Sequence, residues 1–366
     1  MKRFVRDKFE NKPQNSFQEN AAPSGASRRD FLKSVAAVGA VGVSAMLPAA
    51  KSAAQAPSTG AAIKNGRIDV HNHITPPALI KAMGLEALGG FGKWTPEKAL
   101  EDMDAGGVTL GVASIPPHYD PKVVDALAHD CNEYAARLAH DHPGRFGVFA
   151  MLPLPHIDVT LKEIAYVFDA LKVNGVGMYT NYGDKWLGDP YFNPVFEELN
   201  RRKAVVFTHP ITADCCKNLI PGVGDGAIEW QTDTTRAITY LIFGGAQDRY
   251  PDVKMIFSHG GGTMPFLTER FVGMARNPKV ASKFPQGFAG AAAKFYYDTA
   301  QVANPPSMAA LSKVVPLSQI IFGTDYNARG IAEQAKGLME CGAFSPDDLK
   351  KIFRENTLSF LPGLKT

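Results

Sequence analysis

Ile68-Asp69-Val70-His71-Asn72-His73 is the stretch on which the reading of this chain turns. Ile68 to Val70 reads as the end of a short buried strand, and two histidines follow with one residue between them. Side chains alternate faces along an extended backbone, so His71 and His73 point the same way. Two imidazoles side by side at a strand end can share one metal ion. Taken alone, such a pair is more often two ordinary surface histidines. The matter is decided by whether other strand ends carry matching ligands.

Outward from this pair, Pro76-Pro77 stops the strand and can open a helix. Gly84 to Gly92 is a glycine-rich insertion, and Pro96 to Met103 reads as a helix. Further strands are expected at Thr109–Ile115, Phe146–Met151, Gly175–Tyr179, Ala204–Thr208, Lys254–Ser258, Phe295–Thr299 and Ile320–Thr324. Between them the periodicity predicts helices at Pro121–Ala139, Val159–Leu171, Pro194–Arg202, Thr234–Gln247 and Ser307–Val314. Short apolar runs alternating with helices, with no hairpin signal between them, argue for a parallel sheet. Eight such units predict an α/β chain folded as a (β/α)8 TIM barrel. A doubly wound open sheet is the competing architecture, but no Gly-x-Gly-x-x-Gly follows the first strand.

In a barrel the C-terminal strand edges meet at one face. The fifth strand ends in His209, the sixth in His259 and the eighth in Asp325. With His71 and His73 these residues converge, although they are far apart in the chain. His118, after the second strand, is a further candidate to face the mouth. His129, His140, His142 and His156 lack this placement.

The 366 residues carry a formal net charge of +3 and no lysine or arginine run, so nothing points to nucleic acid or an anionic membrane surface. Residues 1–56 read as a signal peptide, 57–66 as a linker and 67–366 as one barrel domain. Ser27-Arg28-Arg29-Asp30-Phe31-Leu32-Lys33 precedes an apolar run, Ser34 to Leu47, too short to span a bilayer comfortably. This segment resembles the twin-arginine export signal. The resemblance implies a partner in the export machinery, passage in the folded state, a periplasmic location, and no membrane attachment after processing. Four cysteines make no disulfide framework in a chain of this length. Cys215 and Cys216 are taken as two loop thiols, with a vicinal bridge or a soft metal site as the other readings.

Four pieces together resemble the amidohydrolase superfamily: Asp69-Val70-His71-Asn72-His73, Phe207-Thr208-His209-Pro210, Phe257-Ser258-His259-Gly260-Gly261 and Phe322-Gly323-Thr324-Asp325. More narrowly they resemble the branch with aminocarboxymuconate semialdehyde and resorcylate decarboxylases. Tyr182-Gly183-Asp184 and Leu187-Gly188 look closest to the 6-methylsalicylate decarboxylases. The resemblance implies the metal-dependent hydrolase type of barrel, with His71, His73, His209 and Asp325 as metal ligands and His259 as acid/base, Asp325 sharing the proton work. The end of the fourth strand, Gly177-Met178-Tyr179-Thr180, holds no lysine or glutamate, so one metal is expected. Three imidazoles and one carboxylate suit zinc, with manganese possible. Tyr179, Tyr182, Trp186 and Tyr326 are candidates to stack a flat ring, and Arg236 to clamp a carboxylate. The implied activity is non-oxidative decarboxylation of a hydroxylated aromatic or related unsaturated carboxylic acid. Hydrolysis of a lactone, amide or ester on the same ligands is the alternative. A homodimer is expected from the resemblance alone.

Overall fold

Apolar runs that turn polar at their C-terminal edges form the eight strands of a parallel barrel: β1 (Arg67–His73), β2 (Val108–Ser114), β3 (Phe146–Met151), β4 (Gly175–Tyr179), β5 (Val205–His209), β6 (Lys254–Phe257), β7 (Tyr296–Asp298) and β8 (Ile320–Ile321). A principal helix follows each in turn: α1 (Pro96–Ala105), α2 (Val124–Asp141), α3 (Ile157–Asp169), α4 (Asn193–Arg201), α5 (Glu229–Phe243), α6 (Met264–Met274), α7 (Pro305–Val314) and α8 (Ile331–Glu340). The computed structural model describes residues 66–364, apart from 118, 119, 121, 275, 283 and 284. The leader (1–56), all of the linker but its last residue, and His118 lie outside the described residues.

The strands pair in sequence order from β1 to β8. Backbone bonds beyond β8 bring the ends of the sheet together: Val70 N donates to Phe322 O (3.0 Å), Asp325 N to His71 O (2.9 Å) and His73 N to Tyr326 O (2.7 Å). Ile68, Val70, Leu110, Val112, Phe149, Val205, Phe207, Ile256 and Ile321 pack inside the barrel. A larger apolar layer lies between strands and helices. Proline at the first turn and a side-chain cap start several helices where the sequence calls for them. Thr95 accepts from Lys98 N at α1, and Asn304 accepts from Ser307 N at α7.

β1 carries a bulge. Asp69 to Asn72 spans the register that Gly111 to Ala113 spans on β2, one residue fewer. Strict alternation would put Val70 and His71 on opposite faces. The extra residue lets Val70 join the barrel core while His71 also turns inward, a use of bulges common beside active sites.

Some expectations change in detail. β8 is two residues long, and the expected strand beyond it becomes the irregular closure described above. α5 begins at Glu229, earlier than expected, and stops before Gly244-Gly245, with a short separate helix at Ala246–Arg249. The loop after β4 holds a small antiparallel pairing of Asn181–Tyr182 with Lys185–Trp186, turned at Gly183, whose φ of 73° suits glycine. Cys215 and Cys216 are joined in a vicinal disulfide rather than standing as separate thiols. They share one turn of 3-10 helix, Asp214–Cys216, which holds the two residues together.

Candidate metal centre

The sequence places a histidine or aspartate at the end of five strands, and the barrel brings them to one point. The ligand atoms of His71, His73, His209 and Asp325 all lie within 4.8 Å of one another, and all four residues are buried. His71 Nε2 and His73 Nε2 are 3.1 Å apart, and Asp325 Oδ1 lies 3.2 and 3.1 Å from them.

What stands behind each ring explains why the Nε2 atoms converge. His71 Nδ1 donates to Asp298 Oδ2 at 2.8 Å, and His209 Nδ1 donates to the carbonyl of Pro210 at 2.8 Å. His73 Nδ1 sits 3.0 Å from Ser114 Oγ. With the Nδ1 side occupied, each ring turns Nε2 toward the centre, the usual arrangement for metal-bound imidazole. His209 Nε2 is buried and has no hydrogen-bond partner among the described residues. An orphaned lone pair facing two other imidazoles and a carboxylate is the donor set of a divalent cation.

The electrostatics agree. Burial pushes the His71 imidazole down, but Asp298 and Asp325 outweigh it and hold it up at about 10. The carboxylates thus favour positive charge at this point. Burial and the neighbouring His71 keep His209 well below its ordinary value. Burial alone would raise Asp325, yet His71 and the other imidazoles hold it well below the usual carboxylate range.

His259 stands beside the four. Its Nε2 lies 3.4 Å from Asp325 Oδ2, and its backbone N–H donates to Asp298 Oδ1 at 2.8 Å. Both His259 (φ 55°) and Asp325 (φ 61°) sit in the left-handed region, uncommon for residues with a side chain and concentrated at functional sites. Gly323 permits the approach of this last strand: a Cβ there would lie 2.9 Å from the Cβ atoms of both His71 and Asp298.

Two participants escape the sequence reading. Asp298, at the end of β7, holds His71 through one oxygen and the backbone of His259 and Ala300 through the other. Gln301 donates its amide to Asp325 Oδ2. A carboxylate ending the run Tyr296-Tyr297-Asp298 was the available signal for the first; nothing local marks the second. Asp298→Asn is expected to weaken metal binding about 10–100-fold, the usual effect of losing a partner behind a ligand. Competition against a chelating dye measures it.

The aromatic candidates divide. Tyr179 and Tyr182 line a small cavity beside His209. Trp186 donates its indole N–H to Asp233 Oδ1 (2.6 Å), and Arg236 Nη1 lies 3.8 Å from the same atom. Tyr326 is buried, and its hydroxyl donates to Asp102 Oδ2 in α1 at 3.0 Å. Trp230 on α5, not singled out from the sequence, packs edge-on to His209 with ring centroids 5.6 Å apart.

Known proteins share this architecture. The decarboxylase yanB of Aspergillus niger is 34% identical over 323 residues, covering 81% of this chain and 87% of that protein. The 6-methylsalicylic acid decarboxylase of Penicillium expansum is 33% identical over 276 residues, covering 71% of this chain and 84% of that protein. Among solved structures, a dihydroxybenzoic acid decarboxylase from Polaromonas sp. JS666, with bound manganese and the inhibitor 2-nitroresorcinol, matches with a TM-score of 0.71. It is 19% identical and covers 82% of this chain and 98% of that one. At that identity the likeness speaks to the fold. The chain belongs to the amidohydrolase family, whose model it matches over residues 68–363.

Proposed function

We propose that this chain is a metal-dependent, non-oxidative decarboxylase of a hydroxylated aromatic carboxylic acid. One observation carries the reading: three imidazoles and a carboxylate converge beside a fourth histidine in the mouth of a barrel whose relatives are named decarboxylases. His71, His73, His209 and Asp325 would hold one divalent ion, zinc by the chemistry of the set, with manganese the other candidate. A bound ion supplies positive charge that draws in a carboxylate with its neighbouring hydroxyl oxygen and steadies negative charge there.

The chain's own groups do the rest. Tyr179 and Tyr182 line the cavity beside His209 and keep water from it. The His259–Asp325 pair holds a proton at the mouth. Delivered to the ring carbon that bears the carboxylate, that proton forms a C–H bond. The bond to the carboxylate then breaks, its electrons return to the ring, and CO2 departs with no change of oxidation state in the protein. Solvent restores the proton to the pair.

Zinc-loaded protein incubated with a panel of ortho-hydroxybenzoates is expected to release CO2 and the matching phenol in equal amounts. Metal-stripped protein should be silent. Absence of CO2 across the panel, or lactone hydrolysis without gas, contradicts the proposal.

The leader supports a further part of the proposal, that the protein is exported folded through the twin-arginine route and acts in the periplasm, as a homodimer by resemblance. Its support is Arg28-Arg29 ahead of the short apolar run. Among the described residues no helix is long and apolar enough to cross a membrane. Cell fractionation with Arg28 and Arg29 changed to lysine tests the route: the protein should then stay in the cytoplasm.

A further inference from the structure

We infer that Gly177 determines which substituents the substrate ring can carry, because its missing side chain leaves a small apolar cavity directly beneath His209. This rests on the decarboxylase reading above and concerns the shape of the same site. In β4 the residues Gly175, Gly177 and Tyr179 share a face. Gly177 pairs in register with Met151 of β3 and Phe207 of β5, and Tyr179 pairs with His209. Gly177 therefore lies one step inside the rim that carries the metal ligands.

A cavity of about 20 Å³ opens there, bounded by Gly177, Met151, Tyr179, Tyr182, Phe207 and His209 among others. That is room for one water-sized group. Its floor is apolar, since Phe149 and Phe207 stack with ring centroids 5.5 Å apart and planes within 10°. Phe207 also packs edge-on to the ring of His71, at 4.9 Å between centroids, so the floor runs up to the metal ligands.

The polar atoms around it are already engaged. Ser114 Oγ sits on His73 Nδ1, the Tyr179 hydroxyl donates to Pro116 O, and the Tyr182 oxygen accepts from Tyr179 N. A water would lack the roughly two to four partners that hold buried water, whereas a methyl group needs none. Because the carboxylate is drawn to the ligands above, the group entering this space sits on the ring carbon next to the carboxylate, on the side away from the hydroxyl. The site thus fits a hydroxybenzoate bearing a small alkyl group at that position.

Gly177 is open to substitution. A Cβ there meets nothing nearer than the backbone oxygens of Ala150 and Phe149, at 3.8 and 3.9 Å, which is ordinary contact. Alanine and valine can therefore be added without moving the backbone, and they fill the cavity.

The test measures dissociation constants of 6-methylsalicylate and salicylate on zinc-loaded wild type, Gly177→Ala and Gly177→Val, with metal content, melting temperature and CO2 release alongside. Wild type is expected to bind the methylated acid about 10-fold more tightly, the discrimination one methyl group brings in a fitted pocket. Gly177→Val should erase or reverse that preference, leaving metal content unchanged and salicylate affinity within about threefold. Gly177→Ala should fall between, and it serves alone if the valine variant does not fold. The same ratio in all three proteins, equal weakening of both acids with metal retained, or binding of neither acid to wild type overturns the inference. Should neither acid yield CO2, the decarboxylase reading fails, while the ratio of affinities still decides the role of Gly177.

Discussion

Replacing His73 with alanine is expected to remove the metal and abolish CO2 release together. His73 Nε2 lies 3.1 Å from both His71 Nε2 and Asp325 Oδ1, at the middle of the ligand set. Without it three donor atoms remain, and the vacated quarter of the coordination shell opens to water. The loss in affinity should exceed the roughly 10–100-fold that follows from losing a partner behind a ligand, because a bond to the ion itself is gone. The bound ion stabilises only the folded chain, so the variant should also melt like metal-free wild type and no longer respond to added zinc. Elemental analysis after gel filtration checks occupancy. Full occupancy in the variant, or CO2 release at the wild-type rate, would remove His73 from the ligand set.

His259→Asn is expected to separate chemistry from metal binding. Metal should stay, because His259 is not among the four converging ligand residues, and its Nε2 reaches Asp325 only at 3.4 Å. The backbone should stay too. Asparagine tolerates the φ of 55° better than alanine would, and the N–H bond to Asp298 needs no side chain. What disappears is a proton carrier at the reacting carbon, and CO2 release should fall by about 10²–10⁴-fold. An unchanged rate would leave the proton to Asp325 alone. Loss of metal with the ring would instead make His259 a ligand.

Much of this site was legible because its ligands lie where apolar strands stop. Phe207-Thr208-His209 and Phe257-Ser258-His259 announce themselves as strand followed by ligand, and the barrel's symmetry of connection does the rest. The parts that were not legible depend on contacts between distant segments. Ser114, Asp298 and Gln301 act by what they touch across the barrel, at His73, His71 and Asp325, and nothing near them in sequence says so. The bulge in β1 is hidden for the same reason, since it exists only relative to β2. Strand eight was read too long because Phe322-Gly323-Thr324 is apolar enough to pair. There Asp69 takes over instead, accepting from the backbone and the hydroxyl of Thr324 and stapling the last strand to the first. Trp186 and Arg236 were read from their position near strand and helix ends, and the buried carboxylate of Asp233 that engages both could not be foreseen from spacing.

X-ray absorption at the metal edge of the purified, zinc-loaded protein tests the central claim most directly. One ion per chain bound by nitrogen and oxygen alone, with three imidazoles resolved and all of them lost on chelation, is the predicted result. Two ions, sulfur ligation through the Cys215–Cys216 loop, or a signal undisturbed by His73→Ala would contradict it.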